Sequence, residues 1–208
     1  MILKTFVTGM LDNNNYLLID EKSKEAVLID CSEYLEEVDV VLKNYDAKLK
    51  YILITHGHFD HVLGINKFHE MYPETQIIAP LLDKDLIEDI GTFVDRFIGG
   101  MGQVDVPHVD NYVSENDEFT IGEHKIKIIS TPGHTKGGVC YSVDEKIFSG
   151  DTIFLGSVGR TDLPGGNFEQ IRSSVKNILE MFDDEIPIYC GHGASTSVGY
   201  EKVHNPVI

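Results

Sequence analysis

The stretch Tyr51-Ile52-Leu53-Ile54-Thr55-His56-Gly57-His58-Phe59-Asp60-His61 joins an apolar run to a dense cluster of metal-binding side chains. Residues 51–54 are continuously apolar, the pattern of a strand buried on both faces. Three of the nine histidines then fall within six positions. Imidazole and carboxylate are good ligands for zinc and related first-row metals. At a strand end, residues two apart project the same way, so His56 and His58 can share one ion. Asp60 and His61 follow where the chain turns into a helix, which can aim them at a second ion nearby.

Three later residues are needed to complete two sites. His134 lies in Ser130-Thr131-Pro132-Gly133-His134-Thr135-Lys136-Gly137-Gly138, Asp151 in Phe148-Ser149-Gly150-Asp151-Thr152, and His192 in Tyr189-Cys190-Gly191-His192-Gly193. Alone, each is an ordinary loop residue or turn cap. Their shared feature is position, because each follows an apolar strand-like run. In layered α/β folds such strand-end loops gather at one edge of the sheets. His69, His108, His124 and His204 lack this context and read as structural or exposed, with His108 an outside candidate for a contact to a lid.

The rest of the chain supplies the layers. Residues 3–8, 16–20 and 26–30 read as strands, separated by turns at 12–15 and 21–24. Ser32 offers an N-cap for a helix over 33–44 with Leu35, Val38, Val41 and Leu42 on one face. A helix is predicted from about 61 to 71, a strand at 76–79 and a helix at 81–90. Residues 91–113, with Gly99-Gly100-Met101-Gly102, are the least regular and read as a mobile loop, either a lid over the site or a surface connection. The pattern then repeats: strands at 119–121, 125–130, 139–143 and 146–148, a helix at 168–182, a strand at 186–190 and a closing helix at 194–203. Two βα halves packed sheet to sheet, with helices outside, would bury every apolar face. The expectation is one α/β domain over 1–208, an αββα sandwich.

Composition narrows the function. The chain has 208 residues, 42% hydrophobic and 25% charged, which is ordinary for a globular protein. Lys plus Arg number 17 against 34 for Asp plus Glu, a formal charge of −17. Nucleic-acid affinity depends on Lys and Arg displacing counterions, so a nucleic-acid partner is not expected. An anionic membrane surface would repel the chain as well. Residues 1–7 lack a basic n-region and a long apolar run, so no signal peptide is expected. No apolar stretch approaches the roughly 20 residues a membrane span needs. Cys31, Cys140 and Cys190 are far apart and odd in number, which fits a reducing, cytoplasmic setting.

The order His56-Gly57-His58-Phe59-Asp60-His61, then His134, Asp151 and His192, resembles the HxHxDH…H…D…H pattern of the metallo-β-lactamase superfamily. The match spans most of the chain. The resemblance implies the αββα fold and two metal ions. It implies a first metal held by His56, His58 and His134, a second by Asp60, His61 and His192, and Asp151 bridging them. Within the superfamily the chain is similar to the glyoxalase II (hydroxyacylglutathione hydrolase) group. The resembling stretches are Thr131-Pro132-Gly133-His134-Thr135-Lys136-Gly137, Ser149-Gly150-Asp151-Thr152-Ile153-Phe154, and Gly156-Ser157-Val158-Gly159-Arg160-Thr161-Asp162-Leu163-Pro164-Gly165-Gly166. Gly191-His192-Gly193-Ala194-Ser195-Thr196, then Gly199-Tyr200-Glu201-Lys202 and Asn205-Pro206, close the match. Full glyoxalase II enzymes carry a further C-terminal helical domain that helps hold glutathione. Only 16 residues follow His192, so that domain is expected to be missing.

The expected chemistry is hydrolysis of a small-molecule acyl-thiol, such as S-lactoylglutathione, with two divalent metals. Zinc is favoured over iron or manganese, although the ligands suit all three. Asp60 is the catalytic candidate, orienting the attacking water. Arg160 is a candidate grip for a substrate carboxylate, or else a loop anchor paired with Asp162. Rival readings are a persulfide dioxygenase, which by family analogy holds one iron on His56, His134 and Asp151, and a lactonase or β-lactamase-like hydrolase. A nuclease is disfavoured by the charge, and a flavodiiron-type enzyme by His58 standing where Glu is typical. A non-enzymatic binding module is disfavoured by the full ligand set. Oligomeric state is not readable from the sequence.

Overall fold

A computed structural model describes residues 1–99, 102–115 and 117–208. The first half runs β1 (Ile2–Thr8), β2 (Asn13–Ile19), β3 (Glu25–Ile29), α1 (Glu36–Tyr45), β4 (Lys48–Leu53), α2 (Phe59–Val62), α3 (Ile65–Met71) and β5 (Gln76–Pro80). A 3-10 turn (Leu81–Asp83), α4 (Lys84–Glu88), α5 (Ile90–Phe97) and β6 (Asn111–Val113) complete it. The second half runs β7 (Glu118–Ile121), β8 (His124–Ser130), β9 (Val139–Val143), β10 (Lys146–Gly150), β11 (Ile153–Phe154), β12 (Ser157–Val158), α6 (Phe168–Met181), β13 (Pro187–Cys190), β14 (Thr196–Ser197) and α7 (Val198–His204).

Strands β1 to β6 form one sheet in sequence order, and a second has the order β14-β13-β10-β9-β8-β7. Alternation along each strand builds the layers. In β2, Leu17 and Ile19 point to the helices while Tyr16 and Leu18 point to the other sheet. In β3, Ala26 and Leu28 join the helix side, and Val27 and Ile29 the sheet side. Leu53 and Ile78 meet Ile126, Ile128, Tyr141 and Phe148 in the space between the sheets. Ile171, Val175, Ile178 and Leu179 of α6 pack on the outer face of the second sheet with Ile147 and Ile188. The result is the expected helix–sheet–sheet–helix sandwich.

Several local expectations are corrected. Residues 13–15 are not a turn but the start of β2, where Asn13, Asn14 and Asn15 are buried. Helix α1 begins at Glu36 with Leu35 as N-cap, and Ser32 is no cap. The Ser32 N–H instead donates to Asn15 Oδ1 at 2.8 Å. The helix predicted over 61–71 is split in two because Cys31 takes its backbone groups. The Cys31 N–H donates to His61 O and the Gly64 N–H to Cys31 O, both at 2.9 Å. The helix predicted over 81–90 is a 3-10 turn, α4 and the first residue of α5. The irregular stretch expected over 91–113 holds most of α5, whose Phe93 and Val94 are in the core, and β6. Gly100 and Met101, in the middle of the expected lid, lie outside the described residues. The closing helix starts at Val198, after the short strand β14.

Candidate metal centre

The loops after β4, β8, β10 and β13 come together at one edge of the sandwich. They carry His56 and His58, then His134, Asp151 and His192, and α2 adds Asp60 and His61, so all seven residues expected at the site are assembled there. Their potential ligand atoms form three overlapping groups: His56 with His58 and His134; Asp60 with His61 and His192; and His56 with His61 and Asp151. Within each group these atoms lie within 4.8 Å of one another. His58 Nδ1 and His134 Nε2 are 2.8 Å apart. Asp60 Oδ2 is 3.1 Å from His192 Nε2 and 3.5 Å from His61 Nε2. The Asp151 carboxylate lies between the groups, 3.4 Å from His61 Nε2, 3.5 Å from His134 Nε2 and 3.6 Å from His192 Nε2.

Backbone carbonyls and a carboxylate aim these rings. His134 Nδ1 donates to Arg160 O at 2.7 Å, and His192 Nδ1 to Leu11 O at 3.0 Å. His61 Nδ1 is 2.8 Å from Asp30 Oδ2. Each contact occupies Nδ1 and turns the Nε2 lone pair inward, the outer arrangement typical of metal-ligating histidines. Asp30 is buried and holds a left-handed backbone, φ 60°. Its carboxylate also accepts from the Thr55 N–H at 2.8 Å and the Thr55 hydroxyl at 2.9 Å, fixing the residue before His56. Gly191 is required for close approach, because a Cβ there would lie 2.2 Å from Asp151 Oδ1.

A metal fits these donors. Among the described residues, His56 Nε2 and Asp151 Oδ1 are fully buried without a hydrogen-bond partner, and natural proteins seldom leave such atoms unpaired. The electrostatics agree. Burial, reinforced by neighbouring imidazoles, holds His56 well below the ordinary histidine range. Burial first, then His134, lowers His58 to about 3. Both rings are therefore neutral, the form that binds a metal. Burial opposes charge on Asp151, but His61, His134 and His192 overcome it and keep the carboxyl ionised. Burial likewise disfavours the His61 imidazolium, and Asp30, Asp60 and Asp151 outweigh it and push the ring up.

The four remaining histidines lie outside these groups, as expected. His69 stacks on His108 at 3.9 Å, His108 bonds to Asp110, His124 pairs with Asp144, and His204 stacks on Tyr200. Arg160 forms a two-pronged pair with Asp162, Nε to Oδ1 at 2.7 Å and Nη2 to Oδ2 at 2.8 Å. Three further residues that touch the site escaped the sequence reading. Asn13, whose Nδ2 lies 2.8 Å from His61 Nε2, was hidden by the turn-like Asn run. Asp30 carried a usable signal, since it too follows an apolar strand. Asp83 carried none.

Comparison with known proteins places this arrangement. Residues 9–192 match the family model described as the metallo-beta-lactamase superfamily. The chain is 32% identical over 205 residues to hydroxyacylglutathione hydrolase GloC of Haemophilus influenzae, covering 97% of this chain and 95% of that protein. Among solved structures, BLEG-1 B3 metallo-beta-lactamase superposes with a TM-score of 0.88 at 29% identity, covering 99% of this chain and 98% of the other. TTHA1623, solved in a di-iron-bound form, superposes with a TM-score of 0.84 at 28% identity, covering 99% and 100%. With the family model spanning the site from Asn13 to His192, the chain belongs to the metallo-β-lactamase superfamily and is a metallo-hydrolase of that fold.

Proposed function

We propose that the protein hydrolyses a thioester of a small acyl-thiol, such as S-lactoylglutathione, with two divalent metals bound at this centre. The observation that carries this reading is the pair of three-residue ligand groups with the Asp151 carboxylate between them. His56, His58 and His134 would hold one metal and Asp60, His61 and His192 the other, with Asp151 shared. Bound metals supply Lewis acidity toward a carbonyl oxygen and a water acidic enough to attack near neutral pH. Asp60 has a second carboxylate oxygen with which to orient that water. The leaving thiolate needs little proton donation, so a separate general acid is not required. Zinc is the favoured metal, and the di-iron form of TTHA1623 supports iron as the alternative. The similarity to GloC supports the thioester choice. Three buried free cysteines fit a reducing cytoplasm.

Arg160 grips the substrate carboxylate in this reading, exchanging its exposed pair with Asp162 for the ligand. Arg160→Ala then raises KM more than it lowers kcat, and an unchanged KM would remove the residue from substrate binding. A second reading, opening of a β-lactam ring, is supported by the similarity to BLEG-1. The test is hydrolysis of S-lactoylglutathione by metal-reconstituted protein, beside a β-lactam panel, with His58→Ala as control. Turnover of the thioester, lost in His58→Ala, supports the first reading. Turnover confined to the β-lactams would replace it with the second.

A further inference from the structure

The two loops carrying the three-histidine group are held in register by a residue outside that group. Asp83 closes the 3-10 turn after β5 and is 2% exposed. Its Oδ2 accepts from the Gly57 N–H at 2.9 Å and from the Thr135 hydroxyl at 2.7 Å. Its Oδ1 accepts from the Gly137 N–H at 2.6 Å. Gly57 lies between His56 and His58, and Thr135 follows His134. One carboxylate therefore spans the β4 loop and the β8 loop at the points where their ligands emerge. The fit has no slack, since a Cβ on Gly137 would lie 2.6 Å from the Asp83 backbone nitrogen and 2.8 Å from Oδ1.

The other ligand group is anchored separately. His61 is fixed by Asp30 and by the Cys31 backbone, and His192 by Leu11 O. Among the described contacts, Asp83 makes no hydrogen bond to Asp60, His61 or His192.

We propose that Asp83 is the positioning residue of the three-histidine site, a clip that sets the aim of His58 toward His134 and so controls the filling of that site independently of the other. This role rests on the metal reading of the centre. Loss of an outer partner of a metal ligand typically costs about 10–100-fold in metal affinity. The clip therefore acts on one metal equivalent of two. A purely structural carboxylate would instead weaken both equivalents together.

The experiment titrates full-length wild type, Asp83→Asn, His134→Ala and His192→Ala with Co2+ against a chelator, reading the visible spectrum, and melts each protein metal-free. The expected result is that Asp83→Asn binds one equivalent about 10–100-fold more weakly and keeps the other. Its spectrum should follow His134→Ala rather than His192→Ala, and the metal-free melt, lowered by the buried donors that lose a carboxylate acceptor, shows that the variant is folded at the titration temperature. Two equivalents bound with wild-type affinity, or both weakened alike, would overturn the clip. Should Asp83→Asn fail to fold, Thr135→Val removes one of the three donors and Thr135→Ser restores it. Selective weakening in the valine variant, reversed by serine, supports the role, and no change in the valine variant overturns it. A wild type that binds no Co2+ would overturn the metal reading itself, and this role with it. A wild type that binds two while the variants match it overturns the clip alone.

Discussion

At the residue scale, the centre is a contest between protons and a metal for the same lone pairs. His61 and His192 both titrate above their ordinary value despite burial, because Asp60 and Asp151 face them and Asp30 faces His61. The shift favours the protonated rings in the metal-free protein, and a metal at Nε2 must displace those protons. Metal binding should therefore release protons at pH 7, with apparent affinity falling as pH is lowered. Calorimetry in two buffers of different ionisation heat reads this directly, and identical heats would contradict it. Steric limits are as strict as the electrostatic ones. Gly191→Ala would drive a methyl to 2.2 Å from Asp151 Oδ1 and displace the shared carboxylate. A loss of about 10–100-fold in metal affinity is expected, with the fold retained by circular dichroism. Unchanged affinity would mean that Asp151 is not a ligand.

Elements rather than residues explain which parts of the sequence were readable. The strand runs at 51–54 and 186–190 announced themselves by composition, and the ligands after them followed from position. The helix break at Val62–Ile65 did not, because its cause is Cys31, over thirty positions away, donating to His61 O. Local periodicity carries no record of such a distant bond. The Asn13–Asn15 run misled for a related reason. Asparagine favours turns when its side chain bonds locally, whereas here most of the partners are distant. Asn14 Nδ2 donates to Cys190 O at 2.9 Å and Asn15 Oδ1 accepts from Ser32. These side chains stitch β2 to the β3 and β13 loops that flank the site. Asn15→Ala leaves the buried Ser32 N–H without its acceptor, a cost of about 1–3 kcal/mol. Chemical denaturation should show that loss, and an unchanged midpoint would show that the Asn run is dispensable.

On the scale of the whole molecule, two of the places where the halves meet bear on the site. They meet in the apolar layer where Leu18, Ile29 and Leu53 face Ile128, Tyr141 and Phe148, and again at the ligand edge. His56, His58, Asp60 and His61 come from the first half, and His134, Asp151 and His192 from the second. The duplicated strand-then-helix order was legible, and with it the four layers, because both sheets alternate by twos. The support Asp83 was not, since it joins Gly57 to Thr135 and Gly137, segments that are close only after the halves have packed. Metal bound across the halves stabilises the native state by mass action, about 2.7 kcal/mol when the free metal is 100 times its dissociation constant. Adding a chelator should lower Tm accordingly, and a Tm indifferent to chelation would place the metal outside the native structure.

In the proposed function, thioester hydrolysis needs both metals. Its most direct test is S-lactoylglutathione turnover by metal-free protein titrated with zinc. The expected rate climbs until two equivalents per chain are bound and then levels off. A rate that saturates at one equivalent, or no turnover with two bound, would contradict it.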